Sequence, residues 1–367
     1  MFPVLLVPGP VEHFYRGGGR IAALRGIVPG SGYQPEEWLG STVTRFGEVE
    51  TGLAVTAGGE FLRDLVVADP VAWTGGSGCD AGDTGVLVKL LDAGQRLPVH
   101  VHPSREFASA HLGCPYGKTE AWYVLDSVGD GAVYLGWNED VDRDVLDRRR
   151  DAQDSEWLLS RMHRVPVVPG MGVLCPAGTV HAIGEGVFVA ELQEPTDFSI
   201  LLEWSVTTST REESHLGLGF ERVMPVVSTV ALSAGDVEAL VSRVGQGPVS
   251  EGPVSVLPAG ADVFFRLLRA RGSGVGGDGA DGAGGAGGGV DSAGADGCGR
   301  SGVFPESFAV VLATEGEGWI VSGCGRVSLC RGEAYAIPRA FGAWWVEGPV
   351  TVLACLPGEG WPTTLTG

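Results

Sequence analysis

The chain has 367 residues, of which 44% are hydrophobic and 19% charged, so it can bury the cores of two domains and is too apolar to be disordered. Its formal net charge of −20 disfavours a nucleic-acid partner, because the one basic run, Arg148–Arg150, is followed at once by Asp151 and Asp154. No apolar stretch approaches the roughly 20 residues of a membrane span, so we also expect no membrane partner.

Glycine, proline and cysteine content narrows the fold class and the compartment. The 60 glycines and 22 prolines indicate many short strands joined by tight turns, and therefore a mainly β protein. The seven cysteines are scattered and contain no CxxC pair, so we expect them to be mostly reduced and buried. Together with an apolar start that is too short and lacks a basic leader, this favours a cytoplasmic protein.

The most informative strands lie near residue 100. Val86–Leu91 is predicted as a strand that ends at the turn-forming sequence DAG, and Leu97–His102 (LPVHVH) follows it. Successive side chains of a strand point to opposite faces, so His100 and His102 lie on the same face.

Further strands and helices follow in chain order. Glu106–Leu112 is predicted to form one or two helical turns, and a small helical insert is predicted at about 139–162. Ser233–Val244 has an N-capping serine and helical spacing of its apolar residues. The remaining strands predicted in this half are Ala121–Leu125, Ala132–Trp137, Arg164–Val168, Gly172–Cys175, Val180–Ile183, Val187–Gln193 and Phe198–Trp204.

A glycine-rich tract divides the chain. Residues 272–302 have almost nothing to bury and are predicted to form a flexible linker or loop. Residues 1–250 are then an N-terminal domain, 251–271 a joining strand, and 303–367 a C-terminal domain. Val263–Leu268 and Ser307–Ala313, on either side of the tract, could pair as neighbours, because long insertions cost little entropy. The C-terminal domain reads as a small jelly roll and contains no histidine, so we expect it to be metal-free.

A candidate metal site emerges from four residues. Two histidines on one strand face provide half of a site, and a carboxylate from the next strand and a histidine from a later hairpin complete it. Three imidazoles and one carboxylate suit zinc or another first-row divalent ion. The ligands predicted on this basis are His100, His102, Glu120 and His181.

The same segment resembles a known enzyme family. LPVHVHPSREFASAHLGCPYGKTEAWYVLDS and the later PAGTVHAIG are similar to the signatures of type I mannose-6-phosphate isomerases, which read roughly LSVQVHPDDEYA, GKTECWYI and PAGTVHA(I/L)G. EEWLGS at 36–41 is similar to a further stretch of that family. The resemblance implies two cupin (jelly-roll) barrels, one zinc ion (Zn2+), and aldose–ketose interconversion of a small sugar or sugar phosphate.

The resemblance also assigns roles and exposes departures. His102, Glu120 and His181 match family ligands, and His100 stands where the family usually has glutamine. Lys118 matches an active-site lysine of the family. Two positions differ: Pro98 replaces a serine associated with the phosphate, and Leu201 replaces an arginine regarded as catalytic or phosphate-facing. These losses favour a free sugar or polyol, or a phosphate held by other groups such as Arg211 or Arg339.

The sequence leaves the general base and the function class open. Glu191, Glu194 and Glu203 come from strands that flank His181, and we take Glu191 and Glu194 as the candidate catalytic carboxylates beside Lys118. Two alternatives to the isomerase remain: a non-catalytic, metal-binding sugar sensor, or another cupin enzyme such as an oxygenase or epimerase. The oligomeric state is not indicated.

Overall fold

The computed structural model describes residues 1–76, 78–80, 82–273 and 302–362. The flexibility predicted for the glycine-rich tract therefore lies, for residues 274–301, outside the described residues. Within them the chain is mainly β, as predicted, and its strands assemble into four antiparallel sheets.

The strands are short and joined by tight turns. Their bounds are β1 Val4–Leu6, β2 Pro10–Val11, β3 Glu36–Leu39, β4 Leu87–Asp92, β5 His100–Val101, β6 Glu120–Ser127, β7 Ala132–Trp137, β8 Met162–Pro166, β9 Gly172–Cys175, β10 His181–Ile183, β11 Val187–Gln193, β12 Ile200–Leu201, β13 Val241–Ser242, β14 Val254–Ser255, β15 Phe265–Arg271, β16 Ala309–Glu315, β17 Glu317–Ser322, β18 Gly325–Cys330, β19 Ala334–Ile337, β20 Trp344–Glu347 and β21 Thr351–Pro357.

The helices are also short. Their bounds are α1 Gly19–Arg25, α2 Leu62–Ala68, α3 Pro70–Thr74, α4 Arg105–Leu112, α5 Arg143–Asp151, α6 Ser155–Ser160, α7 Phe220–Val223 and α8 Ala234–Ala239. Single 3-10 turns lie at Glu212–His215, Met224–Val226, Val244–Gln246, Ala259–Ala261 and Arg339–Phe341. The predicted insert at 139–162 contains α5 and α6, and a capping box between Ser233 and Asp236 begins α8.

Two sheets form the N-terminal barrel. A seven-stranded sheet has the order β13-β9-β6-β11-β4-β3-β2, and a five-stranded sheet has the order β12-β5-β10-β7-β8. The outward face of the larger sheet packs on the second barrel, where Val88 and Leu90 join one core cluster with Leu267 and Leu353. The inward face of the same strands lines the N-terminal barrel. Strand β4 is therefore buried on both faces, which explains its nearly continuous apolar sequence.

The second barrel combines a six-stranded sheet, β1-β19-β16-β21-β15-β14, with a three-stranded sheet, β18-β17-β20. One strand departs from the division predicted at residue 250, because β1 pairs with β19 and so contributes the first residues of the chain to the C-terminal sheet. The sequence left open a pairing between the segments on either side of the glycine-rich tract, but these segments do not pair with each other. Both β15 and β16 instead pair with β21, which lies between them.

Two features of the structure differ from what the sequence patterns indicated. The first 95 residues contain three helices, α1, α2 and α3, that no sequence pattern had predicted. Gly18 and Gly26 flank α1 in the left-handed conformation. Because glycines at both ends are typical of turns, the short helical pattern between them could not be recognised in the sequence. The cysteines are free, as expected, among the described residues, but only Cys175 and Cys355 are buried.

None of the described helices has the length and apolar character needed to cross a membrane.

A buried ion pair joins the two barrels. Arg25 of α1 places its Nε atom 3.0 Å from a carboxylate oxygen of Glu37, with 1% and 2% of the two side chains exposed. The same guanidinium donates to the carbonyl of Leu6, at 3.1 Å, and to that of Gly332 in the turn before β19. Arg25 thus connects α1, β1, β3 and the C-terminal sheet.

Replacing Arg25 with methionine should destabilise the whole fold. Arg25→Met leaves the Glu37 carboxylate buried without its partner, so we expect the free energy of unfolding to fall by about 3 to 5 kcal/mol. Urea denaturation followed by circular dichroism measures the change. The matched control is Arg63→Met, since Arg63 lies on the surface 3.6 Å from Asp64 and should contribute less than about 0.5 kcal/mol. Equal effects of the two substitutions would contradict the role given to Arg25.

Candidate metal centre

Antiparallel pairing brings the predicted ligands together inside the N-terminal barrel. His100 of β5 lies directly opposite His181 of β10, so the two imidazoles share the inward face of the five-stranded sheet. His102 follows β5 by one residue, and Glu120 begins β6 in the facing sheet. One ligand atom from each of the four residues lies within 4.8 Å of the other three, and all four residues are buried.

The backbone fixes the tautomer of each histidine. Nδ1 of His100 lies 2.8 Å from the carbonyl oxygen of Pro98, Nδ1 of His102 lies 2.8 Å from that of Phe198, and Nδ1 of His181 lies 2.8 Å from that of Thr179. A carbonyl oxygen can only accept, so in each neutral imidazole the hydrogen is on Nδ1. Each Nε2 atom therefore carries a lone pair, as a metal ligand must.

The four side chains of the cluster cannot hydrogen-bond to one another, because the atoms that face each other carry no hydrogen. Nε2 of His181 lies 3.2 Å from Oε1 of Glu120, and Nε2 of His102 lies 3.0 Å from Oε2 of Glu120. These are contacts between acceptors, and His181 Nε2 is buried without a hydrogen-bond partner. Buried lone pairs that face one another are costly unless a cation lies between them. The residues therefore fit a divalent first-row metal ion.

The protonation states agree with this interpretation. Burial, with the neighbouring charges of His181 and His102, holds the pKa of His100 well below its usual value. Burial and the Lys118 ammonium lower the pKa of His102 to about 3, so both rings are neutral at physiological pH. Burial raises the pKa of Glu120, but Lys118 and His102 outweigh it and hold this pKa well below its usual range. Neutral imidazoles and an ionised carboxylate are the forms that bind a metal.

A cavity of about 640 Å³ opens beside the cluster, with His100, Lys118 and Glu120 in its lining. The Lys118 ammonium lies 2.9 Å from Glu120 Oε2 and donates to His102 Nε2 at 3.0 Å. The lysine predicted from the GKTE sequence therefore lies at the edge of the ligand cluster and on the cavity wall. A group held in this position can donate a hydrogen bond to a bound molecule.

The cavity also contains a buried charge cluster that the sequence did not reveal. Lys89 of β4 lies 3.2 Å from Glu36, 3.4 Å from Asp197 and 4.0 Å from Glu191, and its ammonium is 4.3 Å from the centre of the Trp38 ring. These carboxylates raise the pKa of Lys89 against the opposing effect of burial. The available signal was the lone charge within the apolar run Val86–Leu91.

The three candidate carboxylates occupy different surroundings. Glu191 lines the cavity, and burial together with the Glu120 charge raises its pKa to about 8. Glu194 does not line the cavity; it accepts from Arg105 Nε at 2.6 Å and from the backbone N–H of Thr119 at 2.9 Å. Glu203 is also outside the lining and accepts from both terminal nitrogens of Arg96 at 2.7 Å.

Leu201 and Pro98 both line the cavity. Leu201 lies directly opposite His100 on the neighbouring strand, so an apolar side chain occupies the wall beside this ligand. The two arginines suggested as replacements do not line the cavity. Arg211 contacts Asp151 at 3.3 Å, and Arg339 contacts Glu306 in the C-terminal barrel at 3.1 Å.

Comparisons with known proteins agree with the resemblance found in the sequence. No family model matches the chain. The mannose-6-phosphate isomerase ManA of Bacillus subtilis is 38% identical over 112 residues, which are 30% of this chain and 34% of that protein. The mannose-6-phosphate isomerase of Streptococcus mutans is 38% identical over the same length and with the same two shares. The match thus spans about a third of each curated relative.

The similarity of the fold extends over nearly the whole chain. The crystal structure of the mannose 6-phosphate isomerase from Bacillus subtilis superposes with a TM-score of 0.69 and 19% identity, covering 97% of this chain and 99% of that one. A mannose 6-phosphate isomerase bound with zinc and yttrium has a TM-score of 0.66 and 14% identity, covering 98% and 100%. At these identities the structures support the two-barrel fold.

Removing a single ligand should abolish metal binding. In His181→Ala, three ligands remain and the deepest imidazole is lost, so we expect the metal content of the purified protein to fall from about one ion per chain to near zero, measured by inductively coupled plasma mass spectrometry. His163→Ala is the control, because His163 hydrogen-bonds the Leu232 carbonyl away from the cluster. Unchanged metal stoichiometry in a folded His181→Ala protein would refute the assignment.

Proposed function

We propose that the chain is a zinc-dependent aldose–ketose isomerase that acts on mannose 6-phosphate or on a related free sugar. The observation that carries the proposal is the acceptor-only cluster of three imidazoles and one carboxylate, which opens onto a cavity that also contains Lys118 and Glu191. The relatives that share 38% identity with part of the chain are named mannose-6-phosphate isomerases, which supports the same reaction class.

Zinc is the ion we assign to the site. Three nitrogen donors and one oxygen donor suit zinc, and one similar structure is described as bound with zinc and yttrium. The proposed ligands are His100, His102, Glu120 and His181. When bound, a divalent ion polarises a carbonyl oxygen and stabilises the negative charge that develops on it.

The protein side chains would move the proton. Aldose–ketose isomerisation takes a proton from C2 of the aldose and returns one to C1, while the hydroxyl proton passes from O2 to O1, so no redox cofactor is needed. We assign this transfer to Glu191, which faces the cavity and whose carboxylate interacts only weakly with Lys89, 4.0 Å away. Its pKa near 8 makes it a stronger base than an ordinary carboxylate, once ionised. Lys118 is placed to donate a hydrogen bond to a substrate oxygen.

Glu194 is the weaker of the two candidate bases. Its carboxylate oxygens are already occupied by Arg105 and by the backbone of Thr119, outside the cavity lining. We therefore infer that Glu194 positions the start of α4 and the strand that carries Glu120. We assign the base to Glu191 because its side chain lines the cavity and that of Glu194 does not.

Metal-dependent sugar binding without turnover is the competing function. The observation that favours it is Leu201, an apolar side chain beside His100 at the position where the resembling family has an arginine. A cupin oxygenase is a second competitor, because three histidines and one glutamate also suit iron. In each case the compartment we propose is the cytoplasm, which agrees with the free cysteines among the described residues.

The experiment that tests the proposal measures turnover on a panel of sugars. Chelated protein is reconstituted with zinc, manganese or iron, and ketose formation is followed for each aldose in its free and its 6-phosphate form. Ketose formation by the reconstituted protein supports the isomerase. Absence of turnover throughout the panel would contradict it, and in that case sugar binding or oxygen uptake would identify which competitor applies.

Glu191→Gln should remove the reaction and leave the metal site intact. The amide cannot accept the C2 proton, so we expect kcat to fall by about 100- to 10,000-fold while zinc content stays at one ion per chain. Glu194→Gln is the matched carboxamide variant, and it should lower the melting temperature and retain most of kcat. A Glu191→Gln enzyme with wild-type kcat, or a larger loss of kcat in Glu194→Gln, would show that the base is assigned wrongly.

A further inference from the structure

The positive charges of the cavity are already paired. Lys89 contacts Glu36 and Asp197, and Lys118 lies 2.9 Å from Glu120. The third cation is Arg45, which lies 3.6 Å from Glu48 and donates to the backbone carbonyl of Glu12 at 3.1 Å. Among the described residues of the lining, each cationic side chain thus has a carboxylate partner. A phosphate needs unpaired cationic donors, which this wall does not offer.

The cavity also carries an excess of negative charge. Seven carboxylates line it and only three cationic side chains. Four of the carboxylates, those of Glu36, Glu120, Glu191 and Asp197, lie near the metal ligands or Lys89. The other three belong to exposed residues: Glu12, Glu48 and Glu213. Glu191 is mostly protonated near neutral pH, so six charged carboxylates face the three cationic side chains. A bound divalent ion offsets part of this excess, and the three exposed carboxylates make the entrance repel an anion.

One buried side chain in the lining makes no hydrogen bond. Both ring nitrogens of His13 are buried without one, although Nε2 lies 3.5 Å from Oε2 of Glu36. Burial lowers the pKa of His13, so the ring is neutral and presents one donor and one acceptor. A sugar hydroxyl can both donate and accept, whereas a phosphate dianion can only accept. A neutral ring that makes no hydrogen bond is therefore complementary to a hydroxyl.

We propose that this cavity takes a sugar that carries no phosphate and no other anionic group, with a hydroxyl bonded to His13. The inference depends on the proposed isomerase for the reaction that follows binding. The binding preference itself rests on the charges and on the histidine that makes no hydrogen bond. The proposed preference selects free sugars over sugar phosphates, the two substrate classes that the resemblance leaves open.

Calorimetric titration of the zinc-loaded, full-length protein separates binding from turnover. Each aldose of the panel is titrated as a pair, for example mannose and mannose 6-phosphate, at low and at moderate salt. We expect at least one free sugar to bind at least about tenfold more tightly than its 6-phosphate. The ratio of the two dissociation constants should decrease at higher salt, because salt screens the charges at the entrance. A phosphorylated sugar that binds more tightly than its free form would overturn the proposal, as would failure of every free sugar to bind at millimolar concentration.

A pair of charge-matched variants locates the effect. Glu213→Gln removes one negative charge from the cavity entrance, so the preference for the free sugar should narrow about two- to fivefold at low salt. Glu212→Gln removes the same charge from a neighbouring exposed residue outside the lining and should change the preference less. Equal effects of the two would mean that total charge, and not the entrance, sets the preference, which would count against the proposal.

Leu201→Arg tests the wall beside His100. An arginine at this position adds an unpaired cation, so we expect affinity for the 6-phosphate to rise relative to the free sugar. If this variant does not fold, the Glu213→Gln and Glu212→Gln pair still decides the question. If the zinc-loaded protein binds free sugars but converts none, the isomerase proposal fails and the binding preference stands.

Discussion

The site depends on three hydrogen bonds from imidazole Nδ1 atoms to backbone carbonyls. Because each acceptor lies two residues before a strand of the N-terminal barrel, the chain path itself turns the Nε2 lone pairs toward Glu120. The carboxylate and the imidazoles then cannot hydrogen-bond to one another, since none of the facing atoms carries a hydrogen. At the edge, Lys118 contacts Glu120 Oε2 and Trp122 Nε1 donates to Glu120 Oε1 at 3.2 Å. A cation among the facing lone pairs would relieve the electrostatic cost of this arrangement and so stabilise the fold.

The interior of the N-terminal barrel contains several buried charged side chains that partly compensate one another. Around Lys89, three carboxylates and the Trp38 ring replace the hydration that burial removes. Glu191 is the least well compensated member, which is why its pKa rises to about 8 whereas that of Glu36 is depressed. Lys89 therefore stabilises the ionised form of Glu36 more than that of Glu191, and Glu191 can change its protonation state near neutral pH.

Local patterns and the family resemblance predicted which four side chains form the candidate metal cluster. His100 and His102 were placed on one face by strand periodicity alone, and the helical insert by its polarity. The cluster around Lys89 could not be predicted in this way, because it forms only through the register of β3, β4 and β11, which are far apart in the sequence. Helix α1 was missed because glycines at both ends conceal seven helical residues. Glu194 was chosen for its closeness in sequence to His181, and its hydrogen bonds lie elsewhere.

The pairing of β1 with β19 ties the N-terminal segment of the chain to the C-terminal sheet. The chain begins in the C-terminal sheet, forms most of the N-terminal barrel, and then returns to complete the first sheet. A C-terminal fragment alone would leave β19, whose four residues are all buried, as an uncovered sheet edge able to pair with other chains. The halves therefore cannot be separated by cutting the chain once. An insertion of considerable length is tolerated between β15 and β16 because both are held by β21.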